Sequence, residues 1–238
     1  SVTSLDYIVC SHAHEDHVGG LSAPLSVMDV GHVYAPVTEA DSDAYTTFKA
    51  KALTQVSEII HPKTGDTVSL GSSTVEFFAP TTESADELNN SSIMCKITHG
   101  DNSFLFTGDA ERDEEQDILS QGCDVSADIL KVGHHGSDSS TSYVWLREVM
   151  PEYAIISVGK DNSYGHPTDE VLSRLRDADV QVYRTDLQGD IIAVSDGQSI
   201  TITTQKNESA QANPNVQDNI EAYIGNKNTK KFHRPDCS

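Results

Sequence analysis

Apolar residues fall in short runs separated by polar or glycine-containing stretches, the pattern of buried strands more than of long helices. Strands are predicted over Leu5–Cys10, Gly31–Ala35, Val56–His61, Thr74–Ala79, Ile93–His99, Ser103–Thr107, Ala127–Val132, Tyr153–Val158, Val180–Arg184, Asp190–Ser195 and Ser199–Thr204. Helices are predicted over Gly20–Met28, Asp43–Glu58, Arg112–Gln121, Ser140–Glu148 and Thr168–Asp177; the end of the second competes with the strand beginning at Val56. Asp43, Ser140 and Thr168 carry side chains suited to N-caps. His99-Gly100-Asp101-Asn102, between two apolar runs, predicts a hairpin turn. Helices between strands in one half and hairpins elsewhere imply mixed sheets covered by helices.

The pattern changes near Gln205. Residues 205–218, rich in Asn, Gln, Ser and Ala, read as a linker. Residues 219–238 form a short, partly basic segment, so the expected organisation is one domain over 1–204 with an appendage. No apolar stretch approaches membrane-spanning length, and Ser1-Val2-Thr3-Ser4 is not a secretory signal. The formal charge is −21, from 37 acidic and 16 basic residues, and disfavours general adhesion to nucleic acid or anionic membrane. A polyanionic substrate stays compatible, because bound divalent cations reverse the local field. The 4 cysteines are too scattered for a disulfide framework; Cys10 and Cys95 read as small core residues.

Chemistry concentrates where apolar runs end. After the first strand comes His12-Ala13-His14-Glu15-Asp16-His17. His12 and His14 alternate along an extended chain and can face one ion, while Asp16 and His17, on the following turn, can face a second. Neutral imidazole and carboxylate suit zinc, manganese or iron. Ser103–Thr107 ends in Gly108-Asp109, which places an Asp where it can bridge two metals. Leu130-Lys131-Val132-Gly133 ends in His134-His135: one is a ligand candidate, and the other can orient or protonate a substrate oxygen. His166, in the loop after Tyr153–Val158, is a ligand or a hydrogen-bond donor. Strand ends in layered folds gather at one edge of a sheet, where sites are built.

Together these segments resemble a metallo-β-lactamase-fold hydrolase, and within that superfamily the ComEC-type hydrolase domain of bacterial DNA-uptake proteins. The resemblance rests on Ser11–Leu21, Phe104–Glu111, Leu130–Ser137, Ser157-Val158-Gly159 and Tyr164-Gly165-His166-Pro167, and is extended by Arg184-Thr185-Asp186, Gly189 and Asp196-Gly197. It implies an αββα sandwich of two mixed β-sheets flanked by helices, with a dinuclear centre of two divalent ions (Zn or Mn). Carried over, His12 and His14 hold one ion and Asp16 and His17 the other. Asp109 bridges, His134 or His135 completes the second site, and His166 lies at its edge.

Two departures from the superfamily pattern stand out. The stretch before the bridging strand, Leu88-Asn89-Asn90-Ser91-Ser92-Ile93, has no His, so the first ion is expected to be held weakly or completed by water or Asn90. The fold also normally begins with strands before the first motif, so N-terminal strands are expected to be missing here. The resemblance implies metal-assisted hydrolysis, most simply of phosphodiester bonds in nucleic acid, with Asp16, His134 and His166 in catalytic roles. Alternatives are a small-molecule or cell-wall phosphorylcholine phosphoesterase, or a catalytically idle metal-binding domain. The segment Asn226–Cys237 resembles the start of an Ada-type zinc module, with His233 and Cys237 as half a zinc site. From it an extracellular or cell-surface address is expected.

Overall fold

The computed structural model describes residues 2–81, 83–207, 224–226 and 231–233. Strand β1 (Ser4–Val9) pairs in parallel with β2 (Asp29–Tyr34). Between them run a short helix α1 (Glu15–Val18), a 3-10 turn (Gly19–Ser22) and α2 (Pro24–Val27); α3 (Asp43–Gln55) follows β2. The second layer is a seven-stranded sheet in simple chain order. Its strands are β3 (Thr67–Leu70), β4 (Ser73–Phe78), β5 (Met94–His99), β6 (Asn102–Phe106), β7 (Ile129–Lys131), β8 (Tyr153–Ile156) and β9 (Gln181–Arg184). β3 to β6 are antiparallel hairpins, and β6 to β9 are parallel. The parallel crossovers carry α4 (Arg112–Ser120), α5 (Tyr143–Val149) and α6 (Asp169–Asp177).

Three apolar cores define the layering. Ile8, Val33, Leu25 and Phe48 pack between the β1–β2 pair and its helices. Leu105, Leu130, Ile156, Trp145 and Leu172 pack between the large sheet and α4–α6. Tyr34, Val75, Phe77 and Ile93 lie between the two sheets, with the rings of Tyr34 and Phe77 stacked 4.9 Å apart. Fully burying one such side chain contributes about 1.5–3 kcal/mol. The expected αββα layering is therefore present, with mixed pairing in the large sheet and a parallel pair in the small one. After β9, a one-turn helix α7 (Thr185–Gln188) leads to the hairpin β10 (Ile191–Ser195) and β11 (Ile200–Thr204), whose Gly197 carbonyl accepts from Asp101 N at 2.7 Å.

Local departures have local causes. The strand expected at Val56–His61 is a single bridge between Ile60 and Tyr34, and α3 stops at Gln55 because Val56 is extended. The helix expected at Gly20–Met28 breaks at Pro24, which lacks an N–H and starts a new turn instead. Helix begins earlier, at Glu15, and carries Asp16 and His17. β3 went unread because Thr67, Ser69 and Leu70 are exposed and leave no alternation. Ser42, not Asp43, caps α3 through Tyr45 N, and Ser142, not Ser140, caps α5 through Trp145 N. Thr168 caps α6 as expected, and His99–Asn102 forms the hairpin turn.

Beyond residue 207 only the backbone pairing of β12 (Ile224–Asn226) with β13 (Lys231–His233) is described. The linker and zinc-module readings, with the address drawn from them, otherwise lie outside the described residues. Among the described residues no helix is long and apolar enough to cross a membrane.

Candidate metal centre

β6, β7 and β8 are parallel neighbours, so their C-terminal ends share one edge of the large sheet. Those ends lead to Asp109, to His134 and His135, and to the loop bearing His166. β1 delivers His12 to His17 from the facing layer. The two layers are tied at this point: Ser11 O accepts from Ile93 N at 2.7 Å. His14 is still extended (φ −66°, ψ 147°), and the intervening Ala13 is buried, as alternation requires.

Gly108 makes the approach of Asp109 possible. Its φ is +55°, and a Cβ there would stand 2.8 Å from Ser92 Oγ and 2.9 Å from Ser11 Cβ. His134 (φ 46°) and His135 (φ 54°) both adopt the left-handed conformation, at a cost of about 1–3 kcal/mol each. Strain of this kind persists where surrounding structure enforces it. The carboxylate of Glu115 accepts from Ser142 N at 3.1 Å, and Arg174 donates to Ser140 O at 2.8 Å and to Asp138 O at 3.0 Å. Both are buried and clamp the loop that follows the two histidines.

Asp109 is the hub. Its Oδ2 lies 3.1 Å from His17 Nε2, 3.6 Å from His135 Nε2, and 3.9 Å from Nε2 of both His12 and His134. Its Oδ1 is buried without a hydrogen-bond partner. Burial alone would raise this carboxyl; the hydrogen bond and charge of His17, then His12 and His135, outweigh it and hold the group well below the usual carboxylate range. Burial, followed by His17, pushes His12 down to about 3, so its ring is neutral at pH 7 and has a lone pair to give.

The donor set fits a pair of divalent cations. His12 Nε2 is 3.0 Å from His14 Nδ1, and His135 Nε2 is 3.3 Å from both His17 Nε2 and Asp16 Oδ2. Ligands about 2.0–2.1 Å from a tetrahedral zinc sit about 3.3 Å apart. Asp16, His17, Asp109 and His135 keep one donor atom each within 4.8 Å of one another. Ring contacts set the tautomers. Ser157 O lies 2.7 Å from His135 Nδ1 and can only accept, so Nδ1 carries the hydrogen and Nε2 the lone pair. Ser92 Oγ gives its hydrogen to Asn89 O (2.7 Å) and so faces His12 Nδ1 (3.4 Å) as an acceptor; with Ser11 Oγ, 3.2 Å from the same nitrogen, also accepting, Nδ1 carries the hydrogen and Nε2 the lone pair.

His134 is held differently. Its Nδ1 is 3.3 Å from Glu111 Oε1, an atom that also accepts from Ser139 Oγ and Asn89 Nδ2, each at 3.1 Å. His166 meets the His134 ring edge-on at 5.6 Å and stacks on Tyr164 at 5.8 Å. Burial, then His134 and His135, lower its pKa. The cavity is about 270 Å³ and takes in His14, Asp16, Asn89, Asp109, His134, His135, Tyr164 and His166. A larger hollow of about 660 Å³, near Pro80, holds one imidazole, His61, and one carboxylate, Glu83, and no cluster of them; volume does not locate the chemistry.

Six of the eight sequence-proposed residues, His14, Asp16, Asp109, His134, His135 and His166, line this cavity, and His12 and His17 lie beside it against Asp109. Of the two candidates from β7, the structure groups His135 with Asp16, His17 and Asp109, and sets His134 beside Glu111. Asn90 does not line the cavity: its Oδ1 accepts from Glu111 N at 3.0 Å. His99 is bonded to Ser195 Oγ at 3.1 Å, in the hairpin turn. Glu111, Glu115, Arg174 and Asn89 were missed, since their roles arise only from tertiary contacts; the adjacency of Glu111 to the Gly-Asp step was the one local hint.

This layered fold gathers a cluster of metal-ligand-type side chains at one edge of its large sheet. Residues 2–160 match the Metallo-beta-lactamase superfamily, and the chain belongs to it. Within it the chain is similar to competence proteins. It is 32% identical over 193 residues to ComE operon protein 3 of Bacillus subtilis (strain 168), and 32% identical over 189 residues to Competence protein ComA of Neisseria gonorrhoeae. These alignments take in 80% and 79% of this chain and 24% and 25% of the relatives, so the chain spans about a quarter of their length. Among solved structures, the E377D mutant of CmlA beta-hydroxylase, from Streptomyces venezuelae, superposes with a TM-score of 0.53 at 15% identity. The superposition covers 77% of this chain and 44% of CmlA, and shows the fold alone. Superfamily members are mostly hydrolases and generally bind divalent metals.

Proposed function

We propose that this domain hydrolyses phosphodiester bonds in nucleic acid. On this reading His12, His14 and Asp109 hold one divalent cation, zinc or manganese, and Asp16, His17, Asp109 and His135 hold a second. The observation that carries the reading is the convergence of imidazoles from two layers on Asp109 Oδ2. When bound, such a pair supplies Lewis acidity: it lowers the pKa of water and offsets charge developing on phosphoryl oxygens.

The side chains do the remainder. Asp16, whose side chain is 64% exposed at the cavity mouth, accepts a hydrogen bond from the attacking water and orients it. His134 gives a proton from Nε2 to the leaving oxygen, with Glu111 at Nδ1 orienting the ring. His166, kept neutral by burial, donates a hydrogen bond to a non-bridging oxygen. Its backbone is fixed by Asn162, which accepts from His166 N at 3.0 Å.

Nucleic acid is favoured by the similarity to competence proteins and by Tyr164, 82% exposed at the cavity rim, which offers a flat face to a base. The cavity lining has no Lys or Arg, so affinity comes from the centre and not from a basic groove. The test is turnover of single-stranded DNA, bis-p-nitrophenyl phosphate and a cephalosporin by the protein loaded with Mn²⁺ or Zn²⁺. Cleavage of DNA, lost in Asp109→Ala, is expected. Cleavage of the small diester alone selects the small-molecule phosphoesterase, and turnover of none selects the idle domain. DNA turnover retained in Asp109→Ala overturns the assignment.

A further inference from the structure

Among the described residues, the buried side-chain oxygens without a hydrogen-bond partner are Asp109 Oδ1, Asn89 Oδ1 and both carboxylate oxygens of Glu114. Asp109 and Asn89 line the same cavity. One unpartnered acceptor beside a cluster of imidazoles is explained by a bridging carboxylate; a second calls for its own account.

The orientation of the Asn89 amide is fixed by chemistry. Its Nδ2 donates to Glu111 Oε1 at 3.1 Å. A carboxylate only accepts, so turning the amide over would set two oxygens against each other. Glu111 is itself held by Ser139 and His134, and the Asn89 carbonyl is gripped by Ser92 Oγ. The nitrogen is engaged, the backbone is pinned, and the oxygen is left on the side away from Glu111. The neighbouring Asn90 has no such spare atom, since its oxygen caps Glu111 N.

The two groups of donors are unequal. Asp16, His17, Asp109 and His135 supply four ligands to one position, while His12 and His14 share only Asp109 at the other. We infer that the Asn89 amide oxygen is a ligand of the cation held by His12 and His14. This rests on the proposed cation pair and adds its selectivity. A neutral carbonyl-type oxygen is a harder ligand than imidazole, and carbonyl and carboxylate oxygens suit Mn²⁺ where imidazole suits Zn²⁺. The His12–His14 position is therefore the weaker and more manganese-tolerant of the two.

Equilibrium dialysis of the metal-free full chain against Mn²⁺ alone, and separately Zn²⁺ alone, tests this without recourse to activity. Wild type takes up two Mn²⁺. Asn89→Ala keeps one at unchanged affinity and binds the other at least tenfold more weakly. Asn89→His restores the second ion and shifts its preference at least tenfold toward Zn²⁺. Asn89→Asp, which keeps an oxygen but loses the donor to Glu111, binds the second ion at least as tightly as wild type. Should Asn89→Ala fail to fold by circular dichroism, Asn89→Asp decides: weaker uptake than wild type overturns the inference. Two-ion uptake by a folded Asn89→Ala protein at wild-type affinity overturns it while leaving the cation pair standing. A wild-type protein that takes up neither metal overturns both.

Discussion

Asp109 Oδ2, just beyond the end of β6, lies 3.1 Å from His17 Nε2 on the first turn of α1, a contact that joins the two layers of the sandwich beside the cavity. A cation shared by these groups would bind the folded chain and not the unfolded one. Free ion at a hundred times Kd should then add about 2.7 kcal/mol, or roughly 5–10 °C in Tm for a chain of this size. Thermal melts with Mn²⁺ or Zn²⁺ against a chelator measure the shift. Asp109→Ala should abolish it, and an equal shift in that variant would discard Asp109 as a shared ligand.

Glu111 touches no reacting atom in the proposed chemistry. It positions His134, and Glu111→Gln should lower kcat by about 10–100-fold. The loss should be much smaller on bis-p-nitrophenyl phosphate, whose leaving group needs no proton, than on single-stranded DNA, and an equal loss on both substrates would reassign Glu111 to scaffolding alone.

Gly108→Ala adds a methyl group against Ser92 and Ser11 at a positive φ. The expected cost is about 1–3 kcal/mol in unfolding free energy, together with weakened metal uptake, because Asp109 must shift. Chemical denaturation with metal titration checks both; normal uptake in the variant would show that the turn relaxes away from the site.

Glu114 is buried in α4 with neither carboxylate oxygen bonded. Burial, reinforced by Asp117, Glu83 and Glu115, raises its pKa well above 4.5. A raised folded-state value means that its stability contribution is fully present below about pH 4.5 and is lost as pH rises through the folded value. Glu114→Gln mimics the protonated form, so it should stabilise the protein by at least about 1 kcal/mol at pH 8, with the gain fading toward pH 4. A gain independent of pH would rule out titration of Glu114 as its origin.

Tyr164→Ala should raise KM for single-stranded DNA by roughly 5–150-fold, the worth of one base stacked on an aromatic ring. Hydrolysis of bis-p-nitrophenyl phosphate, which has no base, should be unaffected, and Tyr164→Phe should behave as wild type. Parallel losses on both substrates would instead place Tyr164 in support of His166, on which it stacks.

The layering and the members of the cluster were legible in the sequence because both are written locally. Apolar runs mark β1, β6, β7 and β8, and the residues after each run are of metal-ligand type. What sequence left open was settled by tertiary contact. Which of His134 and His135 joins Asp16 and His17 depends on left-handed turns that no local pattern announces. Asn89 outranks Asn90 only because Glu111 N captures the latter's oxygen. Val56–His61 has strand composition but forms only a single bridge, at Ile60 with Tyr34, and β3 has pairing without an apolar face.

On the proposed function, the charge of −21 bears on release as well as on capture. Hydrolysis of a phosphodiester creates a terminal phosphate more negative than the linkage it came from. Around an anionic domain the field drives such a fragment outward once its hold on the centre breaks. On the proposed reading of a nucleic-acid phosphodiesterase, the surface that makes engagement weak should therefore make discharge fast, favouring brief, repeated encounters with a passing strand over a lasting grip on one.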